Sequence, residues 1–343
     1  MDKLEIIRAN TEEIVTIDEL KTALDKKKPK GYIGFEPSGT VHLGWKICTN
    51  KIKDFLRCGF DFTILLADWH AYINDKLGGD IERIRACGKY MEDCFAAMGV
   101  TNVKFVYASD YISDPYYWEI VLKSAKANSV ARIKRAMDIM GRKQEDADKD
   151  LSKLFYPVMQ VADIFYLDVD VAYGGMDQRH AHMLARDTAK KLNMKAPIAV
   201  HTPLLTGLQA GGRMNPIEAK MSKSKPDSMI SIHDEPKTVE RKIKKAFCPE
   251  KQVEGNPILE ICKYVIFPEL KDKSFLIERA EKFGGNLEFN EYMELEQAFI
   301  NGLHPLDLKN ATAKYVNEIL EPIRAYFDKH PDNYEKMKEL KII

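Results

Sequence analysis

The chain has no surplus of either charge: Lys+Arg and Asp+Glu both number 52 in 343 residues. A protein that coats nucleic acid non-specifically is normally basic, so any RNA partner must be met by local patches. The six cysteines, Cys48, Cys58, Cys87, Cys94, Cys248 and Cys262, include no C-x-x-C pair. Most fall in apolar helical patterns, which reads as reduced core thiols and not as zinc ligands or disulfides. Met1-Asp2-Lys3-Leu4-Glu5 shows no apolar signal segment, and no apolar run approaches membrane-spanning length. Repeats and long low-complexity tracts are missing too. The expectation is a cytoplasmic protein with no membrane partner. What remains, 45% apolar and 30% charged residues, is ordinary globular composition at a length that allows a large core and two domains.

The stretch from Gly31 to Trp45, G-Y-I-G-F-E-P-S-G-T-V-H-L-G-W, predicts a buried strand, a tight loop with Pro37 and Gly39, and a helix opening near His42. Gly34 would let a ligand lie close to backbone, and Gly44 removes a side chain at the helix's first turn. Free amides and the positive dipole end at such a helix mouth suit a phosphate or adenine nucleotide, with His42 beside them as a donor. On its own, H-L-G says little, since a lone His before a helix is more often a cap or a surface residue.

Alternation organises the first two thirds of the chain. Residues 3 to 27 read as two short amphipathic helices, with Thr16 to Leu20 as a capping signal. A helix to about Arg57 stops at Gly59, the strand Phe60 to Asp68 follows, a helix covers about Asp80 to Met98 and stops at Gly99, and the strand Val103 to Tyr107 comes next. Asp114 to about Gly141 reads as a long helical piece carrying Lys123, Lys126, Arg132, Lys134, Arg135, Arg142 and Lys143. A solvated face and an RNA backbone contact both fit that basic run. Then come a helix from about Leu154 to Leu167, a strand Val169 to Ala172, the pair Gly174-Gly175, a helix to about Leu192 and a strand near Pro197 to His201. This is an α/β pattern: a doubly wound, Rossmann-like parallel sheet, whose ligands sit at the carboxyl ends of the strands. Tyr32 to Gly44, Ala67 to His70 and Tyr173 to Gln178 lie at such ends and are expected to converge. From Pro236 onward the strand pattern fades. The expected division is a catalytic domain over 1–235, with an inserted helical region at about 114–153, and an all-helical domain over 236–343.

Far downstream of His42 stands Lys220-Met221-Ser222-Lys223-Ser224. Two ammonium groups three residues apart in a glycine-containing segment can close over a pyrophosphate and withdraw as it leaves, which is electrostatic catalysis with little demand for a general base. K-x-x-K alone is noise; paired with an H-x-G mouth in a doubly wound fold it is specific.

H-L-G with K-M-S-K-S resembles the class I aminoacyl-tRNA synthetases. The resemblance extends through Tyr32 to Gly39, Leu65 to Asp68, Tyr156 to Asp163, Gly174 to Arg179 and Leu303 to Asn310, and these stretches are similar to tyrosyl-tRNA synthetases of the archaeal and eukaryotic type over essentially the whole chain. The resemblance implies activation of L-tyrosine with ATP and transfer to tRNA(Tyr). By it, Tyr32 and Asp163 bracket the substrate phenol, and Tyr156, Gln160 and Gln178 hold its α-ammonium. A donor-and-acceptor pair that phenylalanine would leave unsatisfied makes the site selective. Tyr156, Gln160 and Asp163 fall at i, i+4 and i+7, one face of a helix.

For ATP the resemblance implies Gly34, Glu36, His42 and Gly44, with Gly175 beside the adenosine, Asp177 on the ribose hydroxyls, and Lys220, Met221, Ser222, Lys223 and Ser224 on the phosphates; His42, Lys220 and Lys223 are the catalytic group. Mg2+ is expected on the nucleotide, and no protein-bound metal. His70 and Tyr72 read as wall residues, or His70 as a satisfied core histidine. His180 and His182 have the wrong spacing for a shared metal and read as structural. For tRNA the resemblance implies Phe283 stacking on an anticodon base, Asp307 on its edge with His304 nearby, and Arg135 toward the acceptor stem; a helix-end contact is the other reading of Phe283. A homodimer through the inserted region is expected. Trp45 stands where the family signature often has a second histidine, and indole brings one neutral donor and no charge. The rivals are a tryptophanyl-type enzyme, a nucleotidyltransferase sharing the H-x-G mouth, and a catalytically silent relative that binds RNA.

Overall fold

The computed structural model describes residues 2–137, 150–209, 221, 226–270 and 273–343. They form two compact units: Met1–Gly39 with Lys51–Pro203 and Asp332–Ile343, and Thr40–Asn50 with Leu204–Pro331.

The first unit is built on a six-stranded sheet. Its strands are β1 (Glu13–Val15), β2 (Lys30–Phe35), β3 (Asp61–Leu66), β4 (Lys104–Tyr107), β5 (Val171–Gly175) and β6 (Ile198–Thr202), in the spatial order β1-β6-β5-β2-β3-β4. All neighbours are parallel except β1, which runs antiparallel to β6. The chain leaves β2 toward β3 and β4, then returns to β5 on the other side of β2. That reversal opens a crevice at the carboxyl ends of β2 and β5, where doubly wound folds bind ligands. Both strands can lie at the centre because their residues bury on both faces: Ile33, Val171, Ala172 and Tyr173 are all buried.

Around the sheet run α1 (Lys3–Arg8), α2 (Ile17–Leu24), α4 (Asp68–Ile73), α5 (Ile81–Ala97), α6 (Pro115–Lys126), α7 (Val130–Lys134), α8 (Ser152–Tyr166) and α9 (Arg179–Leu192), with α3 spanning Trp45–Arg57. Local chemistry sets their ends. Thr16 and Glu19 form a reciprocal capping box on α2, and Asp80 accepts from the amides of Glu82 and Arg83 at the start of α5. Gly59 and Gly99 take φ of +91° and +81° just past α3 and α5, the left-handed geometry that ends a helix.

Several expectations about the elements change. Glu13–Val15, between the two short helices, is a strand, because it completes the edge of the sheet on β6. The pair Gly174-Gly175 belongs to β5 and does not follow it. The basic piece divides into α6 and α7 at Asn128-Ser129, where Ser129 caps the second helix by accepting from Arg132 N; Arg142 and Lys143 lie outside the described residues. The helix Asp332–Glu339 belongs to the first compact unit and packs on α5, through Tyr334 against Tyr90 and an Asn333 Nδ2–Asp93 Oδ2 bond of 2.9 Å.

In the second unit, Val41 to Leu43 lies antiparallel to Ile230 to Ile232, with Leu43 N donating to Ile230 O at 2.8 Å and Ile232 N to Val41 O at 3.2 Å. The helix Pro236–Lys245 packs on the long helix Pro305–Lys329. The helical reading of 236–343 gains a two-stranded hairpin, β7 (Phe275–Ile277) with β8 (Leu287–Phe289), whose Phe275 and Ile277 are fully buried. Two short apolar segments separated by Gly284-Gly285, both at positive φ, pair more readily than they continue a helix.

Candidate active site

At the carboxyl end of β2, Tyr32 and Gly34 share one face of the strand. Tyr32 is 1% exposed, and a Cβ at Gly34 would lie 2.7 Å from its hydroxyl. Gly34 is therefore required first by the phenol of Tyr32. The same device recurs on β5, where a Cβ at Gly174 would meet Gln178 Cβ at 2.8 Å and His182 Cε1 at 3.2 Å. Gln178 can thus fold back over the strand end.

Helix α8 supplies the opposite wall. It is buried over almost its whole circumference, so its polar residues face other protein groups and not solvent. Gln160 Nε2 donates to Gln178 Oε1 at 3.1 Å, joining α8 to the turn after β5. Tyr156 lies edge-on to His70, ring centroids 5.0 Å apart. Burial, and then the Glu36 carboxylate that pairs with its hydroxyl, push the Tyr156 phenol well above the usual tyrosine range. Glu36 is held in turn by Asn74 Nδ2 at 2.8 Å and Lys76 Nζ at 3.4 Å.

Asp163 has no exposed surface. Its Oδ1 accepts from Tyr111 Oη at 2.7 Å and Tyr117 Oη at 3.0 Å. Its Oδ2 lies 3.0 Å from His70 Nε2, an ion-pair contact whose angles do not make a hydrogen bond. Burial and then the Asp163 charge raise the Tyr32, Tyr111 and Tyr117 phenols far above their ordinary value, so all three stay protonated donors. For His70, burial favours the neutral ring, yet the carboxylates of Asp163, Glu36 and Asp68 outweigh it and raise its pKa. Buried polar atoms that lack a hydrogen-bond partner gather here: Asp163 Oδ2, Gln160 Oε1 and both ring nitrogens of His70. Such a concentration marks a place where a polar ligand completes the bonding.

Tyr32, Gly34, Glu36, Tyr156, Gln160, Asp163, Gly175, Asp177 and Gln178 all belong to the first unit. Asp177 sits half-buried in the turn Met176–Gln178. His70, left open by the sequence, stands against Asp163. Tyr111 and Tyr117 were not singled out at all. The signal that could have found them is a carboxylate in an apolar helix, which must find donors; the tyrosines that supply them stand 52 and 46 residues upstream.

His42 and Gly44 belong to the second unit, and α3 opens at Trp45, just after them. Gly44 N donates to His42 Nδ1 at 3.2 Å, which leaves Nε2 as the proton-bearing nitrogen of the neutral ring. A Cβ at Gly44 would press on that ring at 2.9 Å. Of the downstream pentapeptide only Met221 is described: it is buried, with its amide on Leu205 O at 2.6 Å. Lys220, Ser222, Lys223 and Ser224 lie outside the described residues.

Arg135 is exposed just past α7. Phe283 is 61% exposed, with Lys282 Nζ 4.9 Å from its ring centre. His304 caps the helix Pro305–Lys329 by accepting from Leu306 N at its Nδ1, and Asp307 sits in the first turn of that helix. His182 and His201 stack with Nδ1 and Nε2 3.0 Å apart, and His201 Nδ1 continues to Glu13 Oε2 at 2.9 Å. Among the described residues no group of three or more His, Cys, Asp or Glu could hold a metal ion.

The family described as tRNA synthetases class I (W and Y) matches residues 24–321. A tyrosine--tRNA ligase of Sulfolobus acidocaldarius is 53% identical over 336 residues, covering 94% of this chain and 93% of the relative. The crystal structure of tyrosyl-tRNA synthetase from Aeropyrum pernix superposes with a TM-score of 0.88 at 45% identity, covering 99% of this chain and 98% of that one. That of the Pyrococcus horikoshii enzyme, complexed with L-tyrosine, gives 0.91 at 41% identity, covering 99% and 100%. With a buried carboxylate held by phenols and a histidine at the switch point of its sheet, the chain belongs to the class I tRNA synthetases, in the tyrosine--tRNA ligase group.

Proposed function

We propose that the protein activates L-tyrosine with ATP and transfers the tyrosyl group to tRNA(Tyr). The observation that carries this is Asp163: a fully buried carboxylate whose Oδ2 has no hydrogen-bond partner, near the protonated phenol of Tyr32. A substrate phenol donates to Oδ2 and accepts from Tyr32, and an indole offers no group that does both. Gln160 Oε1, without a partner, and Tyr156 and Gln178 around it are assigned to the α-ammonium. The named relatives support the same reading.

In the first step a carboxylate oxygen of tyrosine attacks the α-phosphorus of ATP, and pyrophosphate leaves with the electron pair of the broken P–O bond. The gain is positioning and charge neutralisation. His42 is assigned to the phosphates through Nε2, together with Gly44, Lys220, Met221, Ser222, Lys223 and Ser224; Gly34, Glu36, Gly175 and Asp177 are assigned to the adenosine side. Mg2+ would arrive on the nucleotide as part of the substrate. In the second step a hydroxyl of the tRNA's terminal ribose takes the tyrosyl group and AMP leaves.

Residues 1–235 serve catalysis and 236–343 the anticodon in this reading, with Phe283, His304 and Asp307 on its bases and Arg135 on the acceptor stem. Tyr116, Trp118 and Leu122 on α6 and Val130 on α7 are exposed apolar side chains, which supports a homodimer through that region. No described helix is long and apolar enough to cross a membrane; a cytoplasmic location is part of the proposal. The test is ATP–pyrophosphate exchange with tyrosine, tryptophan and phenylalanine in turn. Exchange with tyrosine alone is expected; exchange driven by tryptophan, or none, overturns the reading.

A further inference from the structure

The groups that hold Asp163 are distinct from those assigned to substrate. Tyr111 reaches it from the turn after β4 and Tyr117 from α6, with relative exposures of 4% and 0%. The two phenols are themselves fixed. Their ring centroids lie 5.0 Å apart, and the Tyr166 ring packs on both at 4.8 and 5.7 Å. Tyr166 Oη in turn donates to Asp114 Oδ2 at 2.8 Å, and Asp114 is the residue that caps α6. A carboxylate oxygen offers two good acceptor directions, and two phenol donors fill those of Oδ1. A rotation of the carboxylate about its Cβ–Cγ bond would break both bonds at once. Oδ2, unlike Oδ1, has only the misaligned His70 contact.

We propose that Tyr111 and Tyr117 are positioning residues that saturate Oδ1 of Asp163, fix the rotation of its carboxylate, and reserve Oδ2 for the phenol of the substrate. Discrimination between tyrosine and phenylalanine then depends on two side chains that act through Asp163. With one donor missing, Oδ1 regains an open acceptor direction and the carboxylate turns to share its donors, so Oδ2 no longer presents a fixed lone pair. Tyrosine loses a well-aligned, charge-assisted bond, while phenylalanine, which never makes it, loses nothing. This inference rests on the proposed assignment of Asp163 to the tyrosine phenol.

The test uses Y111F and Y117F in full-length protein, with kcat and KM for tyrosine, phenylalanine and ATP measured in pyrophosphate exchange. Each variant is expected to lower tyrosine kcat/KM about tenfold, mainly through KM, and to lower the tyrosine-to-phenylalanine ratio by about the same factor, with the KM for ATP unchanged. Y166F is the control for packing. It removes a hydroxyl from the same aromatic cluster without removing a donor to Asp163, and should keep the wild-type ratio. An unchanged ratio in Y111F and Y117F overturns the proposal, as does an equal fall in Y166F. If either variant fails to fold, the other decides, since both donors are required. Absence of tyrosine-dependent exchange in the wild type would overturn the function itself, which is a distinguishable result.

Discussion

Two buried histidines of the same unit behave in opposite ways. His70 is 2% exposed and His182 is 1% exposed, so burial alone would favour the neutral ring in both. His70 faces Asp163, with Glu36 and Asp68 beyond, and its pKa is raised despite its burial. His182 faces His201, and burial together with that neighbour pushes it well below the ordinary value. His201 is itself lowered, because burial and Arg179 outweigh the help of Glu13 and Asp177. The nearest partner, not depth, decides the sign. One network favours positive charge beside a carboxylate that lacks a hydrogen-bond partner on one oxygen; the other is a stack that favours the neutral rings and ends on the Glu13–Arg179 ion pair. Only the first leaves bonding capacity for a ligand.

The largest effect that separates the two networks is expected from D163N. It turns an anion beside His70 into a neutral amide, and tyrosine kcat/KM in pyrophosphate exchange should fall at least about thirtyfold, equivalent to ~2 kcal/mol. Next come two glycine substitutions. G34A pushes a methyl into the Tyr32 hydroxyl, so tyrosine KM should rise about tenfold, with a cost in urea unfolding of about 1–3 kcal/mol. G174A presses at once on Gln178 and His182, so it should weaken tyrosine binding and stability together.

The pH dependence of unfolding tests the contrast in sign. His70 has a raised folded pKa, so its stabilisation is complete below the unfolded value of about 6.5 and disappears as pH rises through the folded value. His182 and His201 have lowered folded pKa values. Their contribution is complete above about 6.5 and is lost as pH falls toward the folded values. In urea midpoints from pH 5 to 9, H70Q should flatten the alkaline side of the profile and H182Q the acid side. The smallest effect is expected from E13Q, which breaks a partly exposed ion pair: less than about 1 kcal/mol in unfolding, with tyrosine KM unchanged.

Much of this is legible in the amino-acid sequence. Gly59 and Gly99 marked helix ends because only a left-handed residue closes a helix there, and Tyr156, Gln160 and Asp163 shared a face because helical geometry leaves no choice. What was hidden depends on partners distant in sequence. Glu13–Val15 is a strand only because β6 is there to pair with it, and three residues carry too little periodicity to announce themselves. Tyr117 sits in a stretch read for its basic residues and Tyr111 just before it, and nothing local says that their hydroxyls reach across to α8. Gly34 and Gly174 were visible as glycines, but the side chains they make room for, Tyr32 and Gln178, were not.

The most direct test is calorimetric binding of tyrosine and phenylalanine to the wild-type protein without ATP. If Asp163 Oδ2 takes the proton of the ligand's phenol, tyrosine binds and phenylalanine binds at least about tenfold more weakly, since it leaves a buried acceptor unpaired. Equal affinity for the two amino acids would contradict the account.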